Sequence, residues 1–263
     1  MGSRLFKIFT LLLIASIIGW FAYEEYLKQQ VREAAKDFGY ELSESELKEW
    51  VQRNKVYNRV DRFDEDIKVF IQEDKNSRPP EGAFLFIGSS SIRLWKDLAQ
   101  DMAPLPTINR GFGGAHTKHI NRHKEEIVFK YKPKAIIFFC GSNDINGFSS
   151  PKKVFNEFVK FYESVEQALP GTKVFAISIQ PSPNRFNQRS RQIKWNDLVE
   201  SHAEENDNLY YVDVSEPMLS EDNKPMPIFY TSDKLHMNKK GYELWTGILR
   251  KVLQENYPED FKN

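Results

Sequence analysis

From residue 82 onward, short apolar runs alternate with amphipathic helical patterns, and this alternation constrains the fold more than any other feature of the chain. Most of the runs are apolar at nearly every position, which is typical of strands that are buried on both faces. The strand candidates are Ala83–Ile87, Thr107–Asn109, Ala135–Cys140, Val174–Ile179 and Leu209–Val212. The helical patterns between them lie at about 116–130, 151–168, 187–205 and 239–255. Strands and helices in this order predict an α/β fold with a parallel, doubly wound sheet.

Three short motifs directly follow strand candidates. The first strand runs into Gly-Ser-Ser-Ser with Ser90 as its third residue, and the second runs into a turn that ends in Gly113-Gly114. The third is followed by Gly-Ser-Asn-Asp, in which Asn143 is the third residue. In open parallel sheets the ligand site lies beyond the carboxyl ends of the strands. We therefore expect Ser90, Gly114 and Asn143 to meet at one edge of the sheet.

A fourth motif, Asp233-Lys234-Leu235-His236, closes a long loop after the last strand. A separation of three residues in a tight turn brings the Asp233 carboxylate within reach of Nδ1 of His236, which leaves Nε2 as a base for Ser90. Taken alone, each motif has a plainer interpretation, since serines cap helices and Asp-x-x-His is common. Together the four predict acyl transfer through a serine nucleophile.

The same motifs supply donors for an oxyanion hole. The backbone N–H of Ser90, a backbone N–H of the Gly113-Gly114 turn and the side-chain amide of Asn143 can all point at a developing negative charge. A phosphate-binding turn is a weaker interpretation of the glycines, because no Lys-Ser/Thr follows them. Asp144 is expected to be structural, as an acceptor for loop backbone.

The remaining polar features point away from other functions. The net charge is zero, which argues against nucleic acid as a partner. His119 and His123 have the i, i+4 spacing of a metal site, but no third ligand lies near them in the sequence, so a solvated helix face is the favoured interpretation. The sequence predicts neither a metal nor an organic cofactor. Cys140, the single cysteine, lies in an apolar run and is expected to be an inert core thiol.

Residues 8–23 carry no charge, and Arg4 and Lys7 precede them. A signal peptide and an uncleaved anchor both begin in this way. Cleavage after Ala22 would place the bulky Trp20 at the −3 position, which favours an anchor that just reaches spanning length. A buried helix in a soluble protein is the alternative. We expect an N-terminal tail on the cytoplasmic side and an extracytoplasmic catalytic domain on the periplasmic side.

These patterns predict three parts of the chain. Residues 1–25 would be the membrane anchor or signal peptide, and residues 26–79 would be a charged helical spacer. In that spacer Ser43 and Glu46 have the spacing of a helix capping box. Residues 80–258 would be the domain that carries every motif described above.

The four motifs resemble those of the SGNH hydrolase superfamily, also called GDSL-type esterases and lipases, over about Arg62 to Leu253. In family terms Ser90 corresponds to the nucleophile, Gly114 and Asn143 to oxyanion donors, and Asp233 and His236 to the acid–base pair. Two positions depart from the family pattern, since Ser89 stands where the family has Asp and Lys234 where Gly is frequent. Neither departure removes a catalytic group.

The resemblance implies a flavodoxin-like three-layer α/β/α sandwich with five parallel strands in the order 2-1-3-4-5, to which this chain adds an N-terminal helical extension. The first two motifs are most similar to a bacterial subgroup near the platelet-activating-factor acetylhydrolase subunits. We therefore expect a serine esterase that hydrolyses small acyl esters, with acetyl favoured. An O-acyltransferase to a carbohydrate hydroxyl and a lysophospholipase are alternatives, and an inactive tethered scaffold is an alternative of another class.

Overall fold

The computed structural model describes residues 2–57, 59 and 61–262, with side chains for all of these except residues 2–9, 11 and 37. The chain divides into two compact units, Met1–Arg62 and Phe63–Asn263. The helices are α1 (Gly2–Asp37), α2 (Glu44–Tyr57), α3 (Asp64–Asn76), α4 (Ser90–Arg93), α5 (Leu98–Asp101), α6 (Thr117–Ile127), α7 (Ser142–Asn146), α8 (Pro151–Ala168), α9 (Arg189–Glu204) and α10 (Lys239–Asn256). The strands are β1 (Phe84–Gly88), β2 (Thr107–Gly111), β3 (Ala135–Phe139), β4 (Lys173–Ile177) and β5 (Leu209–Val212).

In the first unit, α1 and α2 pack against each other. Gly39 has a φ of 74°, a left-handed conformation that glycine adopts without strain and that reverses the chain after α1. The capping box expected from the sequence is present, because the Glu46 N–H donates to Ser43 Oγ (3.4 Å) and the Ser43 N–H donates to Glu46 Oε2 (2.9 Å). These two bonds satisfy N–H groups that a helix start otherwise leaves without partners.

The membrane anchor expected over residues 1–25 is not supported. Across the described part of the chain, no helix is both long and apolar enough to cross a membrane. Residues 1–9 and 11, on which the expectation also rested, lie outside the described side chains.

The second unit is built on one parallel sheet with the strand order β2-β1-β3-β4-β5. β1 lies between β2 and β3, and Phe86 is in register with Asn109 on one side and with Ile137 on the other. Every residue of β1 and of β3 is buried, as their uniformly apolar sequences indicate. The expected flavodoxin-like topology and strand order are confirmed.

Helices cover both faces of this sheet. On one face, α10 and the segment after α4 form a core in which the ring centroids of Phe139 and Trp245 are 4.9 Å apart and those of Phe86 and Trp95 are 5.7 Å apart. On the other face, Phe138 of β3 packs against Phe158 of α8 at 5.1 Å. Because successive strand residues point to opposite faces, one apolar run supplies both cores. This arrangement leaves the carboxyl edge of the sheet as the place where the loops meet.

Candidate active site

Ser90 lies where β1 ends, and the close approach of neighbouring strands explains the glycine before it. The Ser89 N–H donates to the Phe139 carbonyl (3.1 Å), which is the last bond between this segment and β3. A Cβ on Gly88 would lie 2.1 Å from that same carbonyl oxygen, so no larger residue fits there. Ser90 then begins α4, which is only four residues long. The Ser90 N–H lies in the first turn of α4, where a helix leaves its N–H groups without partners inside the helix.

His236 lies against Ser90 across 146 positions of sequence, with Nε2 3.0 Å from the Ser90 Oγ. The other ring nitrogen, Nδ1, is 2.6 Å from Asp233 Oδ2. The His236 side chain is 28% exposed, so the ring is partly open to solvent. The expected chain from carboxylate to imidazole to hydroxyl is therefore continuous at hydrogen-bond distances.

The carboxylate of Asp233 is fixed by more than the histidine. Its Oδ1 accepts from the Thr231 hydroxyl (2.8 Å), from the Leu235 N–H (2.8 Å) and from the His236 N–H (2.9 Å). Burial raises the pKa of Asp233, but the hydrogen bonds from the His236 ring and from these donors outweigh burial and lower the pKa overall. Asp233 therefore stays ionised and accepts from a proton on Nδ1, so that in the neutral ring Nε2 is the nitrogen that can accept from Ser90.

The loop that holds this pair contains one of the two departures from the family pattern. Lys234 has a φ of 60°, the left-handed conformation in which glycine is favoured and other residues cost about 1–2 kcal/mol. The Lys234 N–H donates to the Thr231 carbonyl (2.9 Å), which closes the turn. A lysine therefore occupies this glycine position with the turn intact.

Asn143 lies beside the loop that carries Gly114. Its Nδ2 donates to the carbonyl of Ala115, the residue after Gly114, at 3.0 Å. Gly114 has a φ of 77°, and no described hydrogen bond uses its backbone N–H. The bond from Asn143 to Ala115 joins the loops that carry the two expected oxyanion donors, at the same edge of the sheet as Ser90. Gly141, with a φ of 118°, makes the turn between β3 and α7 that brings Asn143 there.

Asp144, the residue after Asn143, connects α7 to the start of α6. Its carboxylate accepts from the Thr117 N–H at 3.1 and 3.3 Å, which supports the structural role expected from the sequence. The side chain is buried, and loss of solvent raises the pKa of Asp144 to about 7. Cys140 is also buried, and burial raises the pKa of its thiol, as expected of an unreactive core cysteine.

The expectation of a solvated face for His119 and His123 is wrong. Both side chains are buried, at 5% and 7% exposure. The ring of Phe63 packs edge-on against His119 with centroids 4.8 Å apart, and Asp64 Oδ1 is 3.7 Å from His123 Nε2. The beginning of α3 therefore covers this side of α6. Within the described residues, no group of three His, Cys, Asp or Glu side chains has the arrangement of a metal site.

The structure adds two residues at the site that the sequence interpretation missed. Arg185 donates from Nη1 to Ser142 Oγ (2.9 Å) and from Nη2 to Asn143 Oδ1 (3.1 Å). Thr231 supports the Asp233 carboxylate, as described above. Arg185 follows β4 in a proline-rich loop at the same sheet edge. Its position after a strand was the one sequence feature that could have indicated a place near the site. Thr231 carried none, because its contact depends on the fold of a loop.

The sequence matches a known family over the part of the chain that carries these residues. A sequence model of the GDSL-like lipase/acylhydrolase family matches residues 87–244, a range that contains Ser90, Gly114, Asn143, Asp233 and His236. No functionally curated protein matches the sequence.

Similar solved structures have the same fold at low sequence identity. One, from Streptococcus pneumonia and provisionally described as a platelet activating factor, has 20% identity over 72% of this chain and 92% of its own, with a TM-score of 0.65. A GDSL-like lipase from Bacteroides thetaiotaomicron has 19% identity over 76% of this chain and 99% of its own, with a TM-score of 0.63. An acetyl esterase mutant with acetate ion has 15% identity over 67% and 99%, with a TM-score of 0.53.

The family match covers more than half of the chain and runs from β1 into the start of α10. The chain therefore belongs to the GDSL-like lipase/acylhydrolase family and is an SGNH-type hydrolase.

Proposed function

We propose that this hydrolase acts on small acyl esters, acetyl esters foremost, and that Ser90 carries the acyl group between the two halves of the reaction. The observation that supports this most directly is the 3.0 Å distance between Ser90 Oγ and His236 Nε2, with Asp233 behind the ring at 2.6 Å. Acetyl is proposed by analogy with the acetyl esterase that has the same fold.

In the first half of the reaction, Ser90 Oγ attacks the ester carbonyl carbon while His236 Nε2 takes the hydroxyl proton. The carbonyl oxygen becomes an oxyanion, to which the Ser90 N–H, the Gly114 N–H and the Asn143 amide donate. The intermediate then collapses, the bond to the alcohol oxygen breaks, and the alcohol leaves with the proton from Nε2. Ser90 is left as an acyl ester.

In the second half, water replaces the alcohol. His236 takes a proton from the water as its oxygen attacks the acyl carbon, and the same donors hold the second oxyanion. Collapse breaks the bond to Ser90 Oγ, which recovers its proton from His236. Asp233 stays ionised throughout, because its hydrogen bonds lower its pKa.

The experiment compares wild type with Ser90→Ala and, as a matched control one position away, Ser91→Ala. Substrates are nitrophenyl esters from acetyl to dodecanoyl, and fluorophosphonate labelling counts the reactive serine. We expect Ser90→Ala to lose both hydrolysis and labelling, Ser91→Ala to keep both, and kcat/KM to be highest for the shortest esters.

Several outcomes would contradict the proposal. Labelling of Ser90→Ala at the wild-type rate would place the nucleophile elsewhere, and no hydrolysis by a folded wild type would favour an inactive scaffold. A kcat/KM that rises steadily with acyl length would refute the small-acyl preference and favour lysophospholipase activity. Transfer of the acyl group to an added sugar in preference to water would identify an acyltransferase.

A further inference from the structure

Arg185 lies directly behind the proposed oxyanion donor Asn143. It belongs to the 3₁₀ segment Pro183–Gln188, in which Arg185 itself departs from helical geometry with φ −120° and ψ 20°. This kink accompanies a guanidinium group that spans two side chains of the α7 start, Ser142 at 2.9 Å and Asn143 at 3.1 Å. The contact with Asn143 is made to Oδ1, the end of the amide opposite the proposed donor.

The chemistry of the two groups around Asn143 allows only one orientation of its amide. A guanidinium can only donate hydrogen bonds, so the amide end that faces Arg185 must be the oxygen. The Ala115 carbonyl can only accept, so the end that faces it at 3.0 Å must be the nitrogen. A flipped amide would set donor against donor and acceptor against acceptor. Arg185 and Ala115 therefore fix Nδ2 from both ends, and one of its two hydrogens remains for the oxyanion.

The charge of Arg185 acts in the same direction. A cation that hydrogen-bonds to the amide oxygen withdraws electron density from the amide and makes its N–H a stronger donor. That gain matters most when an acceptor with full negative charge appears, which is in the transition state. Loss of this contact should therefore lower kcat more than it changes KM.

The segment that carries Arg185 is itself attached to both sides of the site. The Asn184 N–H donates to the Lys234 carbonyl (2.9 Å) in the turn between Asp233 and His236. Gln188 Nε2 donates to Asn146 Oδ1 (2.9 Å) at the other end of α7. Arg185 thus projects from a segment held to the acid–base loop and to α7, so its guanidinium group has a defined position.

We propose that Arg185 is a positioning residue that fixes and polarises the Asn143 amide as an oxyanion donor. This inference rests on the proposed function, in which Asn143 stabilises the transition state. It assigns Arg185 an effect that passes through Asn143 and not through direct contact with substrate.

A double-mutant cycle tests the assignment. Steady-state kcat and KM are measured for wild type, Arg185→Ala, Asn143→Ala and the double variant, with nitrophenyl acetate as substrate. Removal of one oxyanion donor costs about 10²–10³ in kcat, and Arg185→Ala is expected to lose at least about tenfold of it, with a smaller change in KM. In the Asn143→Ala background the same substitution should change kcat by less than about twofold.

Two further variants distinguish an effect on the Asn143 amide from a general loss of structure around the site. Arg185→Lys keeps a donor and a charge, so it should recover part of the lost kcat. Arg189→Ala removes an arginine four positions away whose guanidinium instead pairs with Glu216 at 3.2 Å, and it should keep kcat near wild type. The pH profile of Arg185→Ala should match wild type, because the Asp233–His236 pair is untouched.

The inference fails if Arg185→Ala keeps the wild-type kcat, if it lowers kcat equally in both backgrounds, or if Arg189→Ala is as slow. An equal loss in both backgrounds would mean that Arg185 contacts substrate or only holds the fold. If Asn143→Ala itself keeps the wild-type kcat while Ser90→Ala is inactive, the oxyanion role of Asn143 fails, and this inference fails with it. The esterase proposal would then still stand on Ser90.

Discussion

Asp233 illustrates how one side chain can determine which ring nitrogen of a histidine carries a proton. Its Oδ1 is fully engaged by the Thr231 hydroxyl and two backbone N–H groups, which leaves Oδ2 alone for the His236 ring. The carboxylate therefore stays in place even if the histidine moves. The donors of the turn fix the position of the Asp233 carboxylate, and the carboxylate keeps a proton on Nδ1 of His236.

This arrangement makes a sharp prediction for Asp233→Asn. The three donors around Oδ1 will retain the amide oxygen there, so the amide N–H₂ must face Nδ1 of His236. Nδ1 then has to accept, the ring proton moves to Nε2, and Nε2 can no longer take the Ser90 proton. We expect kcat to fall by about 10⁴, the scale of this substitution in serine proteases, with a small change in KM.

The control is Thr231→Ala, which removes one of the three donors and leaves the carboxylate charge. It should lower kcat far less than Asp233→Asn, since two backbone donors still hold Oδ1. Equal losses in the two variants would mean that placement of the carboxylate, and not the tautomer of His236, governs the rate.

Among the elements, α10 has the clearest link between a helix end and the site. Asn238 caps the helix by accepting from the Gly241 N–H (3.2 Å), and its Nδ2 donates to the carbonyls of Ile228 (2.8 Å) and Tyr230 (3.0 Å). Those carbonyls lie just before the loop of Asp233 and His236. One side chain thus begins the helix and holds the segment that leads into the acid–base pair.

Asn238→Ala should lower the free energy of unfolding by about 1–2 kcal/mol, because it removes a cap and leaves two carbonyls without their donor. Asn238→Ser keeps an accepting oxygen for the Gly241 N–H and places no charged acceptor against the two carbonyls, so its loss should be smaller. Urea denaturation of both variants measures these values. If the two variants were equally destabilised, the cap would contribute nothing.

The elements also show what the sequence could predict. All five strands were predicted within two residues at either end. The signal was clearest for β1 and β3, because a parallel strand that is buried on both faces must be apolar throughout. The short helix α7 was not predicted, since five residues carry no period. The burial of His119 was missed because Phe63 of the adjoining α3 segment covers it, and sequence spacing gives no information on which helices pack together.

The site was predictable to a different degree. The four motifs named Ser90, Gly114, Asn143 and the Asp233–His236 pair, since each follows a strand or closes a loop at one sheet edge. Arg185 was not predicted, because its reach to Asn143 depends on a kinked turn whose geometry has no signature in sequence. Contacts set by chain topology are visible in the sequence, whereas contacts set by loop conformation require the structure.

For the whole molecule, the buried carboxyl of Asp144 links stability to pH. Its pKa rises from 3.8 to about 7 on folding, because burial removes water from the charged form. Between those values the folded protein holds a proton that the unfolded chain has released. By linkage, the contribution of Asp144 to the free energy of unfolding falls as pH rises through this interval and is constant above it.

Asp144→Asn removes this ionisation and keeps an oxygen that can accept from the Thr117 N–H. We expect the free energy of unfolding of the variant, relative to wild type, to increase as pH rises from about 4 to about 7 and to level off beyond that. Urea denaturation at a series of pH values measures the difference, in which the titrating groups other than Asp144 and its neighbour His116 cancel. A difference that stays flat across the interval would show that Asp144 is ionised in the folded protein.

The placement of the catalytic groups along the chain has a consequence for folding. Asp233 and His236 are three residues apart, and a single turn holds them together. Ser90 reaches them only across 146 positions, from a strand that must pair with both β2 and β3. Contacts of such long range form late, because their loop-closure entropy precedes any gain from packing. The acid–base pair can therefore exist in a nascent or partly folded chain, whereas Ser90 becomes reactive only when the entire sheet and α10 are assembled.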